Sequence, residues 1–328
     1  MKISNGSLWH CPINIYKEIF MNIKKYQGVI PAFYACYDKS GNVSAEAVEA
    51  YTKWLVGKGV KGIYVGGSSG ECIYQSTSER KLILEHAVKA AQGKLTIIAH
   101  VACNNTRDSM ELAAHAESLG VDAIAAIPPI YFKLPEYAIA SYWNDISSAA
   151  PQTDFIIYNI PQLAGVALTP SLLHEMLKNP RVIGVKNSSM PTMDIQQFKH
   201  EGTLGGRDFV VFNGPDEQFI SGLIIGADGG IGGTYSVMPE LYLKLFDLFM
   251  MGELESACAL QHTVNNIIYK LCSGKGNLYA MIKATLKKRE GLDLGGVRSP
   301  LANLFDEDNK IVDEAAALID SATQKFIG

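Results

Sequence analysis

Apolar residues along this chain are concentrated in eight short runs, separated by polar or glycine-rich stretches. The runs begin about every 25 to 30 residues, which is the length of one strand followed by one helix. In chain order they read GVIPAFYAC, GIYVGG, LTIIAHV, AIAAIP, FIIYNI, VIGVKN, FVVFNG and ADGGIGG. Because each run is almost continuously apolar, it is typical of a parallel strand that is buried on both faces.

The segments between the runs have helix signals. Ser76 and Glu79 have the spacing of a capping box, and Thr169 followed by Pro170 predicts an N-cap with proline at the first helical position. Gly59 stands where a left-handed residue would end the first helix. The intervening segments are therefore predicted to be crossover helices.

Eight strand-helix units predict a closed (β/α)8 barrel, which we expect to cover residues 26–250. A doubly wound open sheet is the alternative, but that fold normally has a nucleotide-binding fingerprint. The two glycine-rich stretches, GGSSGE and GADGGIGGTY, satisfy neither GxGxxG nor the P-loop spacing. The barrel is thus the preferred prediction.

The two ends of the chain differ from this central part. After about residue 250 the strand pattern stops and helical spacing continues, so residues 251–328 are predicted to form a small helical domain. Residues 1–25 are interpreted as a peripheral extension, since they lack the continuous apolar segment of a secretory signal. No run approaches the roughly 20 apolar residues that cross a bilayer. We therefore expect a cytoplasmic protein.

Composition favours small-molecule chemistry. The chain has 328 residues, is 48% hydrophobic, and has a formal net charge of −4, which gives no basic surplus for nucleic acid. Its six cysteines form no CxxC pair, and its histidines show no metal-binding spacing. We expect neither a metal nor a disulfide framework.

Residues that close the strands of such a barrel converge at one mouth, where the active site of this fold lies. Those positions are Ser68, Ser69, His100, Tyr131, Tyr158, Asn159, Lys186, Asn213, Asp216, Glu217 and residues 229–233.

Lys186 is the most informative of these residues. It directly follows the apolar run VIGV, so its stem is expected to lie against the barrel interior, where desolvation disfavours an ammonium. A neutral amine can form a Schiff base with a 2-oxo acid and stabilise a carbanion at the neighbouring carbon. A lysine that extends from the strand end to solvent is the equally weighted alternative.

Two further elements favour the chemical interpretation. Tyr158 closes the preceding run, where a phenol can act as general acid and base, although a tyrosine with a buried ring and a solvated hydroxyl is the simpler reading. The turn that begins at Gly67 and contains Ser68 and Ser69 presents successive amides that can hold a carboxylate, or it is a plain connection.

Several motifs in the same order resemble the pyruvate-dependent class I aldolase superfamily, which includes N-acetylneuraminate lyases and dihydrodipicolinate synthases. The similarity runs from about residue 26 to the C-terminus. It rests on YVGGSSGE (64–71), IAHVACNNT (98–106), PPIYF (128–132), YNIPQLAGVALT (158–169), GVKNSS (184–189) and FNGPDEQFISGLIIGADGGIGGTY (212–235).

The resemblance implies roles for individual residues. Lys186 matches the Schiff-base lysine and Tyr158 the acid-base tyrosine, while Ser68 and Ser69 match the carboxylate-binding pair. Tyr131 matches a tyrosine that family members insert into the site of a neighbouring subunit. A homotetramer, a small 2-oxo acid or sugar acid as substrate, and no metal or organic cofactor are implied as well.

Other positions favour the lyase branch. The synthases usually have an arginine where this chain has Leu163, whereas Gly214, Asp216 and Glu217 match residues with which the lyases hold the sugar tail. Ser69 and Ser188 retain a hydroxyl where the lyases usually have threonine. At Gly233, by contrast, a sugar-contacting serine is replaced, and Pro215 stands where an aromatic residue is common.

The expected reaction is therefore the reversible cleavage of N-acetylneuraminate to N-acetylmannosamine and pyruvate. Cleavage of another 2-oxo-3-deoxy sugar acid is the first alternative. The second alternative is a dihydrodipicolinate synthase-like activity, and the third is a non-catalytic sugar-acid-binding protein.

Overall fold

The computed structural model describes residues 23–328, so most of the predicted extension over residues 1–25 lies outside the described residues. All eight predicted strands are present, and neighbouring strands pair in parallel in the order β1-β8-β7-β6-β5-β4-β3-β2. They are β1 (Gly28–Pro31), β2 (Gly62–Val65), β3 (Thr96–His100), β4 (Ala123–Ala126), β5 (Asp154–Asn159), β6 (Val182–Asn187), β7 (Val210–Asn213) and β8 (Gly229–Gly232).

Backbone hydrogen bonds between β1 and β2 close this sheet. The amide of Lys61 donates to the carbonyl of Val29, and the amide of Phe33 donates to the carbonyl of Tyr64, each over 2.9 Å. The predicted barrel is thereby confirmed, and the open-sheet alternative is wrong because both edges of the sheet are paired.

Helices connect the strands and cover the barrel, as expected for strands that are apolar on both faces. In chain order they are α1 (Ala45–Lys58), α2 (Thr77–Ala91), α3 (Thr106–Ser118), α4 (Glu136–Ala149), α5 (Pro161–Ala164), α6 (Pro170–Met176), α7 (Met193–Thr203), α8 (Phe219–Ile224), α9 (Pro239–Met250), α10 (Leu254–Cys272), α11 (Leu278–Glu290) and α12 (Asp308–Phe326).

The predicted helix ends are confirmed. Ser76 and Glu79 form a reciprocal capping box at α2, and the Thr169 side chain accepts a hydrogen bond from the backbone at the start of α6. Gly59 ends α1 in the left-handed conformation, with φ of 77°. These contacts satisfy backbone groups that a helix end would otherwise leave without partners.

Side chains alternate between two apolar clusters. On β5, Ile156 and Tyr158 point into the barrel, whereas Phe155 and Ile157 belong to the larger cluster between the strands and the helices. That larger cluster continues into α10, α11 and α12. The division at residue 250 coincides with the end of α9 and stays a prediction, because the same core extends across it.

Polar groups close the amino end of the barrel. The Tyr26 hydroxyl lies 2.8 Å from both the carbonyl oxygen of Asp122 and a carboxylate oxygen of Asp154. The amine of Lys25 lies 3.2 Å from Asp122 and 3.8 Å from Asp154. In the described part of the chain, no helix has the length and apolar character needed to span a membrane.

Candidate active site

Strand register brings the predicted lysine and tyrosine together at the carboxyl end of the barrel. Tyr158 of β5 is the direct parallel partner of Lys186 of β6, and Asn159 is the partner of Asn187. Paired positions on neighbouring strands point to the same face of the sheet. The two chemically important side chains therefore enter the barrel side by side.

Lys186 lies over two aromatic rings. Its amine is 3.8 Å from the centre of the Tyr158 ring and 4.5 Å from that of Tyr64, and the residue is 5% exposed. This burial rejects the alternative of a lysine extended into solvent. Among residues 23–328, neither the Lys186 amine nor the Tyr158 hydroxyl has a hydrogen-bond partner, and neither atom is fully enclosed by protein.

A cavity of about 330 Å³ opens above this pair. Nine of the predicted site residues line it, together with side chains from α10 and α11. Those nine are Ser68, Ser69, Tyr158, Lys186, Ser188, Gly214, Asp216, Glu217 and Gly233. An apolar cavity with a few convergent polar groups is the usual form of a small-molecule site.

The two serines lie on a short 3-10 turn, Ser68–Gly70, that directly follows β2. Gly67 precedes this turn and does not line the cavity. A Cβ at Gly67 would lie 2.7 Å from the Tyr64 ring, so only glycine fits there. Gly67 therefore sets the position of the serines, and its predicted contact with substrate would involve backbone alone.

Tyr279 was not among the predicted site residues. It stands in the first turn of α11, lines the cavity, and accepts a hydrogen bond of 2.9 Å from the Ser69 hydroxyl. Burial raises the pKa of Tyr279 well above its usual range. The sequence shows only a tyrosine on a predicted helix of the C-terminal segment. That pattern does not indicate that its side chain reaches the serine turn.

Asp216 and Glu217 are adjacent in sequence, but their side chains have different surroundings. The Asp216 carboxylate is buried and accepts hydrogen bonds from the amides of Gly233 (3.2 Å) and Thr234 (2.6 Å) and from the Thr234 hydroxyl (2.6 Å). Burial raises the pKa of Asp216 to about 6. Glu217 is exposed at the cavity rim. Asp216 thus orders the loop after β8, while Glu217 is free to meet a ligand.

Two glycines make room for neighbouring hydroxyl groups. A Cβ at Gly214 would collide with the Ser188 hydroxyl and lie 2.7 Å from the carbonyl oxygen of Asn187. A Cβ at Gly233 would lie 3.3 Å from the hydroxyls of both Ser69 and Tyr279. At Gly233 the space that a side chain would enter is therefore already bordered by two polar groups.

Three strand-end side chains expected at the mouth stay outside the cavity lining, and of residues 229–233 only Ile231 and Gly233 line it. His100 is buried with its Nδ1 2.8 Å from the carbonyl of Gly66, and desolvation lowers the pKa of His100 to about 3. Asn159 donates to the Asn187 side chain over 2.7 Å, and Asn213 donates to the carbonyl of Pro215 over 2.7 Å. These side chains connect the strand ends to one another.

Tyr131 also lies apart from the cavity. It is 90% exposed, has a left-handed backbone with φ of 88°, and borders a separate surface groove of about 820 Å³ with Phe132 and Tyr137. Within one chain it does not approach Lys186. Its predicted role thus requires a second copy of the chain and stays a prediction.

Within residues 23–328, no group of three or more His, Cys, Asp or Glu side chains is arranged to hold a metal ion.

Residues 25–319 match the model of the dihydrodipicolinate synthetase family. The chain belongs to this family. Membership confirms the superfamily that the sequence motifs indicated, and with it the barrel fold.

Two curated members of the family illustrate the range of similarity. An N-acetylneuraminate lyase of Mediterraneibacter gnavus is 66% identical over 306 residues, which cover 93% of this chain and 96% of the relative. An N-acetylneuraminate lyase of Salmonella agona is 33% identical over 279 residues, 85% of this chain and 92% of the relative.

Two solved structures are also similar to this chain along most of its length. A Ruminococcus gnavus sialic acid aldolase, described as a catalytic lysine mutant, has a TM-score of 0.91 and 66% identity, covering 93% of this chain and 99% of that one. A dihydrodipicolinate synthase of Bacillus anthracis has a TM-score of 0.82 but 22% identity, covering 89% and 98%, which shows a shared fold alone.

Proposed function

We propose that this protein is a Schiff-base lyase that reversibly cleaves N-acetylneuraminate to N-acetylmannosamine and pyruvate. The observation that supports this most directly is the Lys186 amine, 3.8 Å from the Tyr158 ring centre, in a cavity that also contains both serines of the turn. The names of the relatives at 66% identity point to the same reaction.

Cleavage begins when the Lys186 amine attacks C2 of the open-chain sugar acid and water leaves, forming an imine. The protonated imine withdraws electrons from C3. Tyr158 gives its proton to the water that leaves, and then accepts the proton of the C4 hydroxyl as the C3–C4 bond breaks, which releases the sugar aldehyde and leaves an enamine. Protonation of the enamine carbon and addition of water then release pyruvate and restore the amine.

Two sets of polar groups hold the ends of the substrate. Ser68 and Ser69, with their amides, bind the carboxylate beside the reacting carbonyl, as a nest of backbone donors does for anions. Ser188 and Glu217, which also line the cavity, bind hydroxyl groups of the sugar tail. Asp216, whose oxygens already accept from Gly233 and Thr234, acts on the tail through the loop that it orders.

The alternatives have weaker support. Leu163 lines the cavity where a synthase would need a cation for a second carboxylate, and an unpaired carboxylate in such a site costs binding energy. Another 2-oxo-3-deoxy sugar acid is the main competitor, because Gly233 and Pro215 lie where the tail would be. A non-catalytic binding role would leave the buried Lys186 and Tyr158 without a function.

The family resemblance further supports a homotetramer in which Tyr131 of one subunit completes the site of its neighbour. The exposure of this aromatic side chain and its adjacent groove fits such a contact. The proton relay at Tyr158 would then be complete only in the assembly.

The deciding experiment measures pyruvate released from N-acetylneuraminate and, separately, the adduct formed with pyruvate and borohydride. We expect turnover and a reduced adduct that maps to Lys186. Lys186→Met should abolish both, since its side chain has similar length but no nucleophile. A wild-type lysine that remains unmodified would remove the covalent mechanism, and higher kcat/KM for shorter 2-oxo-3-deoxy acids would change the substrate assignment.

A further inference from the structure

A buried ion pair connects the serine turn to the C-terminal helix α11. The Lys283 amine lies 2.8 Å from a carboxylate oxygen of Glu71, and their side chains are 1% and 0% exposed. Neither residue lines the cavity or takes part in the proposed reaction. Glu71 nevertheless stands one residue beyond the carboxylate-binding turn, and Lys283 contacts it from α11.

Glu71 has the geometry of an anchor for this turn. It directly follows Ser68–Gly70, adopts the left-handed conformation with φ of 55°, and its amide donates to the carbonyl of Ser68 over 3.0 Å. A left-handed backbone is unfavourable for a residue with a long side chain, so surrounding contacts must hold it.

Those contacts use both carboxylate oxygens of Glu71. One accepts from Lys283, and the other accepts from the amide of Arg298 over 2.9 Å. Lys283 also donates to the carbonyl of Gly296 over 2.7 Å. The Glu71 side chain is thus fixed at both oxygens by the C-terminal segment, and so is the end of the turn.

Helix α11 contacts the turn at a second point. Tyr279 receives the hydrogen bond from Ser69, and Lys283 binds Glu71 four residues later, on the same helical face. One face of one helix therefore holds a serine that lines the cavity and the residue that ends its turn.

We infer that the Glu71–Lys283 pair positions Ser68 and Ser69 for the substrate carboxylate. The inference rests on the proposed function and adds to it a pair of positioning residues. A fully buried ion pair contributes little net stability compared with well-packed apolar residues, so stability alone is a poor explanation for it. Precise placement of binding groups, in contrast, strongly affects a site, because a displacement of about 1 Å can cost about 100-fold in rate.

Two variants test this inference. Lys283→Met removes the cation and leaves the Glu71 charge buried, whereas the pair variant Glu71→Gln with Lys283→Met leaves no uncompensated charge. The matched control is Lys58→Met, which breaks the Lys58–Glu290 pair between α1 and the same helix α11, away from the serine turn. Each protein is assayed in the synthesis direction and by borohydride trapping over a range of pyruvate concentrations.

We expect the KM for pyruvate, and the pyruvate concentration that gives half-maximal trapping, to rise about tenfold or more in both variants, because the serines bind its carboxylate. The kcat at saturating pyruvate should change less than about threefold, since Lys186 and Tyr158 are untouched. The Lys58→Met control should keep the wild-type KM for pyruvate, half-maximal trapping concentration and kcat.

A lowered Tm with unchanged pyruvate dependence would show a purely structural role and overturn the inference. If Lys283→Met does not fold, the pair variant provides the measurement. Failure of the proposed function gives a different result, namely no adduct in the wild-type protein itself.

Discussion

The two ends of the barrel each have a buried tyrosine, and the surroundings of the two hydroxyls differ. At the amino end, the Tyr26 hydroxyl lies 2.8 Å from two oxygen atoms, and Lys25 neutralises the neighbouring carboxylates. At the carboxyl end, the Tyr158 hydroxyl and the Lys186 amine beside it have no hydrogen-bond partner among residues 23–328, and both residues line the cavity.

This difference distinguishes polar groups that stabilise the fold from polar groups that take part in the proposed reaction. Buried polar groups normally pair, and leaving one unpaired costs free energy. The amino end follows this rule and therefore stabilises the fold. At the carboxyl end, the two groups that the proposed reaction uses make no such pair and face the cavity, so their partners are expected to be atoms of the substrate.

Tyr158→Phe should have the largest effect. We expect kcat for N-acetylneuraminate cleavage to fall about 10³-fold, within the usual range for loss of a general acid-base group. The aromatic ring beside Lys186 is retained, so trapping of pyruvate by borohydride should persist. Steady-state kinetics and mass spectrometry of the adduct give the two values.

The free energy of unfolding should change little in this variant, by about 0.5 kcal/mol or less, because the hydroxyl stabilises nothing in the folded chain. A large loss of stability with unchanged kcat would contradict this, because it would show that the Tyr158 hydroxyl stabilises the fold and is not needed for the reaction.

Asp216→Asn should change how stability depends on pH. Burial raises the pKa of Asp216 to about 6 from 3.8, so between these values the folded protein holds a proton that the unfolded chain has released. Stability from this group is therefore lost as pH rises from 4 to 6, by about 3 kcal/mol at 1.36 kcal/mol per unit of pKa.

Asparagine does not titrate, so the stability of the variant relative to wild type should improve by about that amount between pH 4 and pH 7. Urea unfolding at several pH values measures it. His100, whose pKa is lowered to about 3, has the opposite dependence, but it is present in both proteins and cancels. A constant difference across pH would show that folding does not raise the pKa of Asp216.

Tyr26→Phe makes the same chemical change as Tyr158→Phe at the opposite end. Here we expect a loss of about 1 to 2 kcal/mol in the free energy of unfolding, because the Asp154 carboxylate loses a buried donor. The ring should keep its edge contact with Phe212, at 6.5 Å between centroids. Activity should stay near that of wild type, and reduced kcat with unchanged stability would contradict this assignment.

Much of the fold could be predicted from local pattern. Apolar runs, capping residues and glycines specify strands and helix ends through contacts a few residues apart, and all eight strands lie where the runs predicted. The pairing of Tyr158 with Lys186 was also predictable, because parallel strands that follow one another in a barrel align their carboxyl ends.

Sequence alone therefore determined the barrel, the end of the barrel at which the site lies, and the lysine and tyrosine of that site. Only the tertiary structure decided that Tyr279 meets Ser69, that Lys283 meets Glu71, and that Asp216 is committed to the loop after β8. The physical reason is distance along the chain. The first two contacts join residues more than two hundred positions apart, and such contacts depend on how whole helices pack, which no local pattern of residues specifies.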